Sequence, residues 1–142
     1  MKEQNYKNHR QLVFTYHVLT GLSLLALLIG SIRNVIYTNR ENLYSAWLIV
    51  LVSFVLLSLY LHSRVFALKA QDRAIRAEEN LRYFILTGKR IDQRLTLAQI
   101  IALRFASDEE LPALAQKAAE EGLSNEAIKK QIRVWRGDWH RV

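Results

Sequence analysis

The sequence predicts an all-α membrane protein: a transmembrane helical hairpin that continues into a long cytoplasmic helix and a small three-helix C-terminal domain. Two uninterrupted apolar runs, residues 12–32 and 43–61, contain no Lys, Arg, Asp or Glu. From the second run to residue 87 the chain has no Gly or Pro, and the last third contains helix-capping residues. Apolar runs of this length predict membrane spans, and a long stretch without helix breakers predicts one continuous helix.

Each apolar run is long enough to cross a bilayer. At about 1.5 Å rise per residue, the runs reach roughly 28–32 Å, close to the thickness of the hydrocarbon core. The alternative is that residues 12–32 form a cleaved signal peptide. That stretch is longer than the usual apolar region of about 7 to 15 residues, and no A-x-A-like cleavage site follows it. We therefore expect both runs to span the membrane.

Basic residues indicate the orientation of the hairpin. Three precede the first span, two lie between the spans and four follow the second closely: Lys2, Lys7 and Arg10; Arg33 and Arg40; Arg64, Lys69, Arg73 and Arg76. Because cytoplasmic flanks carry the excess of Lys and Arg, both termini are expected in the cytoplasm. Tyr16 and Tyr60 would then lie in the aromatic belt at the inner interface.

The distribution of charge argues against a nucleic-acid partner. The formal net charge is +7, but residues 95–142 contain seven basic and seven acidic residues. Residues 62–94 contain eight basic and four acidic residues, so much of the excess lies beside the membrane. A basic juxtamembrane segment attracts anionic lipid headgroups, whereas a DNA-binding domain is usually basic itself. We expect membrane lipid as a partner, and nucleic acid is an unlikely one.

The residues offer little catalytic chemistry. The chain has no cysteine, which excludes disulfides and thiolate sites, and its glycines form no phosphate-binding loop. His17 and His62, at the same side of the two spans, are the one pair that could ligate a haem or relay a proton. Because they are expected at different depths, we predict no bound cofactor or metal and no enzymatic activity.

Small residues recur along both spans. Ser23, Ala26 and Gly30 follow helical spacing in the first span, and Ala46 and Ser53 form a similar stripe in the second. Small residues let two helices approach closely. The stripe could pack against the other span of the hairpin or against another chain.

The segment 62–88 is expected to extend the second span as a helix that ends at Gly88, where a C-terminal cap belongs. Glu78 and Arg82 form a favourable i,i+4 pair on it. Six residues spaced 3, 4, 3, 4, 3 predict a close-packed coiled-coil seam: Ala67, Ala70, Ala74, Ala77, Leu81 and Phe84. Alanine is also the best helix former, so the same series could reflect helix propensity alone.

The last third of the chain contains three predicted helix N-caps. Thr96 and Ser107 each begin a capping box completed three residues later by Gln or Glu, and Ser124 is a simple N-cap. The three helices are expected to end near residue 106, at Gly122 and at Gly137. Fewer than fifty residues make a marginal core, so this domain needs support from the long helix, the membrane or a partner.

The third of these helices would be amphipathic and basic. Its apolar face would contain Ile128, Ile132, Trp135 and Trp139. Its basic face would contain Lys129, Lys130, Arg133 and Arg136. Three interpretations remain open: a helix packed by its tryptophan face, one lying on the inner leaflet, or one contacting an acidic protein or nucleic acid.

Several segments resemble a bacterial family of two-span membrane proteins known only as a domain of unknown function. They are residues 66–81 (FALKAQDRAIRAEENL), 100–112 (IIALRFASDEELP), 128–130 (IKK), 135–136 (WR) and 141–142 (RV). The resemblance covers essentially the whole chain. It implies a bacterial inner-membrane protein with a cytoplasmic helical tail, and it implies no activity and no catalytic residues.

The expected organisation is a cytoplasmic tail (1–11), the two-span hairpin (12–61), the cytoplasmic extension of its second helix (62–88) and a small helical domain (89–142). The predicted function is non-enzymatic: an accessory or scaffold subunit of a larger membrane assembly, or a homo-oligomer. The alternative is a membrane-tethered binding module that uses its basic C-terminal helix for anionic lipid, an acidic protein or, less favoured, nucleic acid.

Overall fold

A computed structural model of the chain describes residues 4–8 and 12–138. It divides into two compact units, one formed by parts of 1–11 and 68–142 and the other by 12–67. The described residues are helical apart from turns, loops and one isolated bridge between Ala106 and Trp135. The predicted all-α class is therefore confirmed. Lys2, Arg10 and Trp139, which entered the sequence analysis, lie outside the described residues.

The unit of residues 12–67 is a helical hairpin. A π-helical segment, Thr15–Thr20, leads directly into α1 (Gly21–Tyr37), and a 3-10 turn, Arg40–Asn42, leads into α2 (Leu43–Thr87). Both helices are long and apolar enough to cross a membrane. The first helix extends five residues beyond the apolar run, to Tyr37, because backbone hydrogen bonding does not require apolar side chains. Helix α1 ends where Thr38 becomes extended (φ −81°, ψ 157°).

Small side chains lie buried between the two helices of the hairpin. Ser31 and Ser53 are both almost completely buried, and their hydroxyl oxygens lie 3.3 Å apart. Ala46 and Val50 are buried on the same side of α2 as Ser53, at helical spacing. Small residues allow close approach, and a hydroxyl pair adds an interhelical hydrogen bond worth about 0.6 kcal/mol on average in a membrane.

Two tyrosines join the helices at the other end of the hairpin. The rings of Tyr16 and Tyr60 stack with centroids 4.7 Å apart. Each hydroxyl donates to the backbone carbonyl of the other residue, and the Tyr16 hydroxyl also contacts Ser63 Oγ at 3.0 Å. The two residues predicted for one aromatic belt are thus in direct contact.

The unit of residues 68–138 contains the C-terminal half of α2 and three short helices, α3 (Leu97–Leu103), α4 (Leu111–Glu121) and α5 (Asn125–Gln131). Four of the predicted caps are present, those at Gly88, Thr96, Gly122 and Ser124. Gly88 follows α2 with φ +69° and Gly122 ends α4 with φ +62°, a left-handed conformation that glycine adopts without steric cost. The Thr96 capping box is complete, with reciprocal hydrogen bonds to Gln99.

The core of this unit is small and well buried. Its largest fully buried apolar side chains are Phe105, Ile100, Leu103, Leu111 and Ile128. The rings of Phe105 and Trp135 lie 5.1 Å apart, so Trp135 packs on the edge of this core.

Two of the three predicted helix ends in this domain, those of α3 and α5, are wrong. Helix α5 ends at Gln131 rather than at Gly137, because Ile132 is extended (φ −67°, ψ 122°). The following residues pair with the chain after α3: Ser107 N donates to Val134 O at 3.1 Å, and Arg136 N donates to Phe105 O at 2.8 Å. This pairing also explains why α3 stops at Leu103 instead of continuing to residue 106.

The start of α4 also differs from the prediction. The helix begins at Leu111, and Ser107 Oγ accepts from Glu110 N at 3.3 Å in the turn that precedes it. The Glu110 carboxylate does not complete a capping box. It accepts from the backbone N–H groups of Arg133 and Val134, at 3.2 and 3.3 Å, and so holds the extended segment against the start of α4.

Candidate interaction surface

Helix α2 has two different faces in the unit of residues 68–138. Ile75 and Glu79 are buried against the small domain, with 7% and 6% of their surfaces exposed. Leu81 and Phe84, on the opposite face, are 60% and 51% exposed. The small domain therefore covers one face of α2 and leaves the other open.

A network of ion pairs and hydrogen bonds connects the small domain to the covered face of α2. The Arg82 guanidinium donates to Glu79 Oε2 at 3.0 Å, to Asp108 Oδ1 at 2.7 Å and to the carbonyl of Ala106 at 2.7 Å. The side chains of Arg82 and Glu79 are only 11% and 8% exposed. Such charges are stable inside a fold only when they are paired and hydrogen-bonded.

Arg82 has partners other than the one its spacing predicts. The i,i+4 spacing predicts a pair with Glu78, whereas Arg82 pairs with Glu79 at i,i+3 and with Asp108 from outside the helix. No local spacing could identify Asp108, which lies on the turn before α4. Glu78 is thereby left exposed and, among the described residues, in no ion pair.

A second set of polar contacts joins the two ends of the chain. Arg104 Nε lies 3.2 Å from Asp138 Oδ2. Gln4 donates to the Asp138 carbonyl at 3.1 Å and accepts from the Asp138 backbone N–H at 2.9 Å. A segment that precedes the first apolar helix thus contacts one that follows the second, a contact that sequence reasoning missed.

The open face of α2 coincides with most of the predicted seam. We call Ala70, Ala74, Ala77, Leu81 and Phe84 the α2 seam. All five are exposed. Ala77 lies two residues before Glu79, about 200° around the helix, so the middle of the α2 seam faces away from the small domain. Ala74 and Leu81 border grooves that residues of the small domain also line. Ala67, the sixth predicted residue, belongs to the hairpin unit and is half-buried.

The small residues of the first span do not make the contact within the hairpin. Ser23, Ala26 and Gly30 are exposed, and a Cβ added to Gly30 would meet no atom within 4 Å. Within the hairpin, Ser31 rather than Gly30 faces Ser53, whereas Ala46 and Ser53 of the second span are buried as the intrahairpin interpretation expects. As contacts to another chain, the three residues remain a prediction.

The predicted basic face does not exist as one helical surface. Lys129 and Lys130 lie on α5, but Arg133 and Arg136 follow its end. Lys129 Nζ lies 5.7 Å from the centre of the Phe105 ring, and Lys130 Nζ lies 5.7 Å from that of Tyr6. Arg136 reaches Glu79 Oε1 at 3.9 Å. Lys129, Lys130 and Arg136 therefore have different neighbours.

The two candidate histidines form separate local contacts. Nδ1 of His17 lies 2.9 Å from the Val13 carbonyl, and Nδ1 of His62 lies 2.7 Å from the Ser58 carbonyl. Among the described residues, no group of three or more His, Cys, Asp or Glu could hold a metal ion. The absence of a cofactor stays a prediction.

A groove of about 500 Å³ lies between α2 and the loop before α3. Arg76, Asn80, Arg90 and Asp92 contribute polar groups to it. Hydrogen bonds from the Arg94 side chain, at 2.7 to 3.1 Å, lower the pKa of Asp92 from 3.8 to about 2. Asp92 is thus held as a carboxylate that already has a partner.

Comparisons with known proteins place the chain in a family. Neither a curated protein nor a solved structure matches it. The match to the family covers residues 1–142, and this agrees with the resemblance of the quoted segments to a domain of unknown function. The chain belongs to a family of unknown function, DUF6526.

Proposed function

We propose that the protein is a non-enzymatic subunit of the bacterial inner membrane that associates with a helix of another subunit through the α2 seam. It would act as an accessory or scaffold subunit of a larger assembly or as a homo-oligomer. The observation that carries this proposal is the exposure of Leu81 and Phe84 beside three exposed alanines, on a helix whose other face is covered.

Two properties of the α2 seam favour a helix as its partner: its exposed apolar area and its small side chains. Covering an exposed Leu or Phe side chain contributes about 1.5–3 kcal/mol. The alanines on the same face leave room for a partner backbone, as small residues do wherever helices pack closely. A helix is therefore a better fit for this surface than a small molecule.

The proposed localisation places both termini in the cytoplasm. It is supported by the excess of basic residues outside the hairpin loop and by the hydrogen bonds of Gln4 to Asp138, which join the two ends of the chain. A reporter active only outside the cytoplasm, fused after Val142, should stay inactive. The same reporter inserted at Asn39, in the hairpin turn, is the matched control and should be active. Activity at Val142 would refute the assignment.

The association is tested by enlarging the seam. The triple variant Ala70→Leu, Ala74→Leu and Ala77→Leu should lose its partner, because overpacking typically costs about 1–3 kcal/mol per site. Crosslinking and native mass spectrometry of the full chain in mild detergent measure the assembly.

The matched control is Ala98→Leu with Ala113→Leu, which makes the same change at exposed alanines on α3 and α4. This control should keep the assembly. If the triple variant keeps it as well, the alanine series reflects helix propensity and the proposal fails.

The alternative, a binding module for anionic lipid or an acidic protein, depends on Lys129, Lys130, Arg133 and Arg136. It has less support, because two of these residues lie beyond α5 and Lys129 lies over Phe105. A nucleic-acid partner has the least support.

A further inference from the structure

We propose that the α2 seam binds a second copy of this chain, with the two α2 helices parallel and in register about a two-fold axis. The inference rests on the proposed function, in which the seam binds a helix, and it names the partner. It follows from the direction of α2, the charges beside the seam and the residues within it.

The direction of α2 follows from its continuity. One uninterrupted helix, Leu43–Thr87, contains both the apolar stretch that can cross a membrane and the α2 seam. Two copies inserted with the same topology present this helix in the same direction. A two-fold axis along the membrane normal then makes the pair parallel, and the same patch on each copy faces the other.

The charges beside the seam are complementary in that arrangement. In a parallel pair, the residue just before one seam position faces the residue five places later on the other helix. Arg73 precedes Ala74, and Glu78, five residues later, follows Ala77. Arg73 of each copy therefore faces Glu78 of the other. Both are exposed and, in the part of the chain that the structure describes, neither forms an ion pair.

The neighbouring positions introduce no repulsion. The next flanking pair is Asn80 with Ile85, which is uncharged, and Ile85 is 71% exposed, so it can add apolar area. Within the seam, like residues face each other: alanines allow close contact near the membrane, and Leu81 and Phe84 fill the distal end. The α2 seam of one copy is thus complementary to that of a second copy in side-chain size and in charge.

The absence of cysteine from the chain makes disulfide crosslinking a direct test. Single variants Ala74→Cys, Ala77→Cys and Leu81→Cys, in the full chain in native membranes, should each form a covalent homodimer on mild oxidation. A disulfide needs Cβ atoms about 3.8 Å apart. Seam residues of two facing helices can come this close, whereas residues on the other faces of α2 cannot. Arg76→Cys, exposed on another face of α2, is the control and should stay monomeric.

A charge exchange tests the register. Arg73→Glu should weaken the homodimer about 3- to 30-fold, since it removes two exposed ion pairs and places like charges together. Adding Glu78→Arg to that variant should restore the affinity, because each pair is reversed rather than lost. A shifted register or an antiparallel pair would show no such rescue and would overturn the inference.

The test separates this inference from the proposed function. Homodimers at all three seam positions support it. Two outcomes would overturn the homodimer while leaving the seam as a binding surface. In the first, these cysteines form adducts with a different protein. In the second, they stay unlinked although the triple alanine variant still disrupts an assembly. If the triple alanine variant disrupts nothing, both proposals fail.

Discussion

Replacing Phe105 with alanine is expected to destabilise the small domain by about 3–5 kcal/mol. Phe105 is fully buried and packs against Trp135, and its backbone carbonyl accepts from Arg136 N. Removing the ring leaves a cavity beneath the extended segment that follows α5. Because a small core has little stability to spare, a loss of this size is a large part of the total.

Hydrogen exchange of the α3 and α5 amides, in the full chain in detergent, measures the effect. Phe105→Leu is the graded control, because it keeps most of the side-chain volume and should cost clearly less. Slow exchange of both helices in the Phe105→Ala chain, as in the unchanged protein, would contradict the role assigned to this ring.

Replacing Arg82 with methionine is expected to cost about 3–5 kcal/mol, the usual effect of removing one partner from a buried ion pair. Glu79 would remain buried with only Arg136, 3.9 Å away, near its carboxylate. Methionine keeps the length and the apolar contacts of the side chain, so the loss reports the charge. The expected result is faster exchange of the α3 and α4 amides, with the α2 amides before residue 68 unchanged.

The double variant Arg82→Met with Glu79→Leu is the control. A buried ion pair replaced by apolar residues of similar volume is often neutral, so this chain should recover most of the stability lost in Arg82→Met. Equal losses in the single and double variants would show that the hydrogen bonds from Arg82 to Asp108 and Ala106 dominate instead.

The Arg82 network also bears on the proposed dimer. Because Arg82 turns towards Glu79 and Asp108, it does not neutralise Glu78 on the same helix. In the proposed dimer, Arg73 of a second copy therefore does not compete with Arg82 for Glu78. The contact that holds the domain on one face of α2 therefore leaves the opposite face exposed.

The sequence by itself determined the features that depend on local composition. The two apolar runs predicted the helices long enough to cross a membrane, and the segment without Gly or Pro predicted the continuity of α2. The Thr96 capping box and the left-handed glycines Gly88 and Gly122 were also predictable, because each cap is recognised within four residues.

Tertiary structure alone decided the features that depend on distant neighbours. Helix α5 stops early because residues 133–136 pair with Phe105, Ser107 and Glu110, and this divides the predicted basic face. Ser31 rather than Gly30 faces Ser53 because the rotation of α1 against α2 is set by packing. A helical period shows which residues share a face, but only the packed neighbours determine whether that face is covered or remains open.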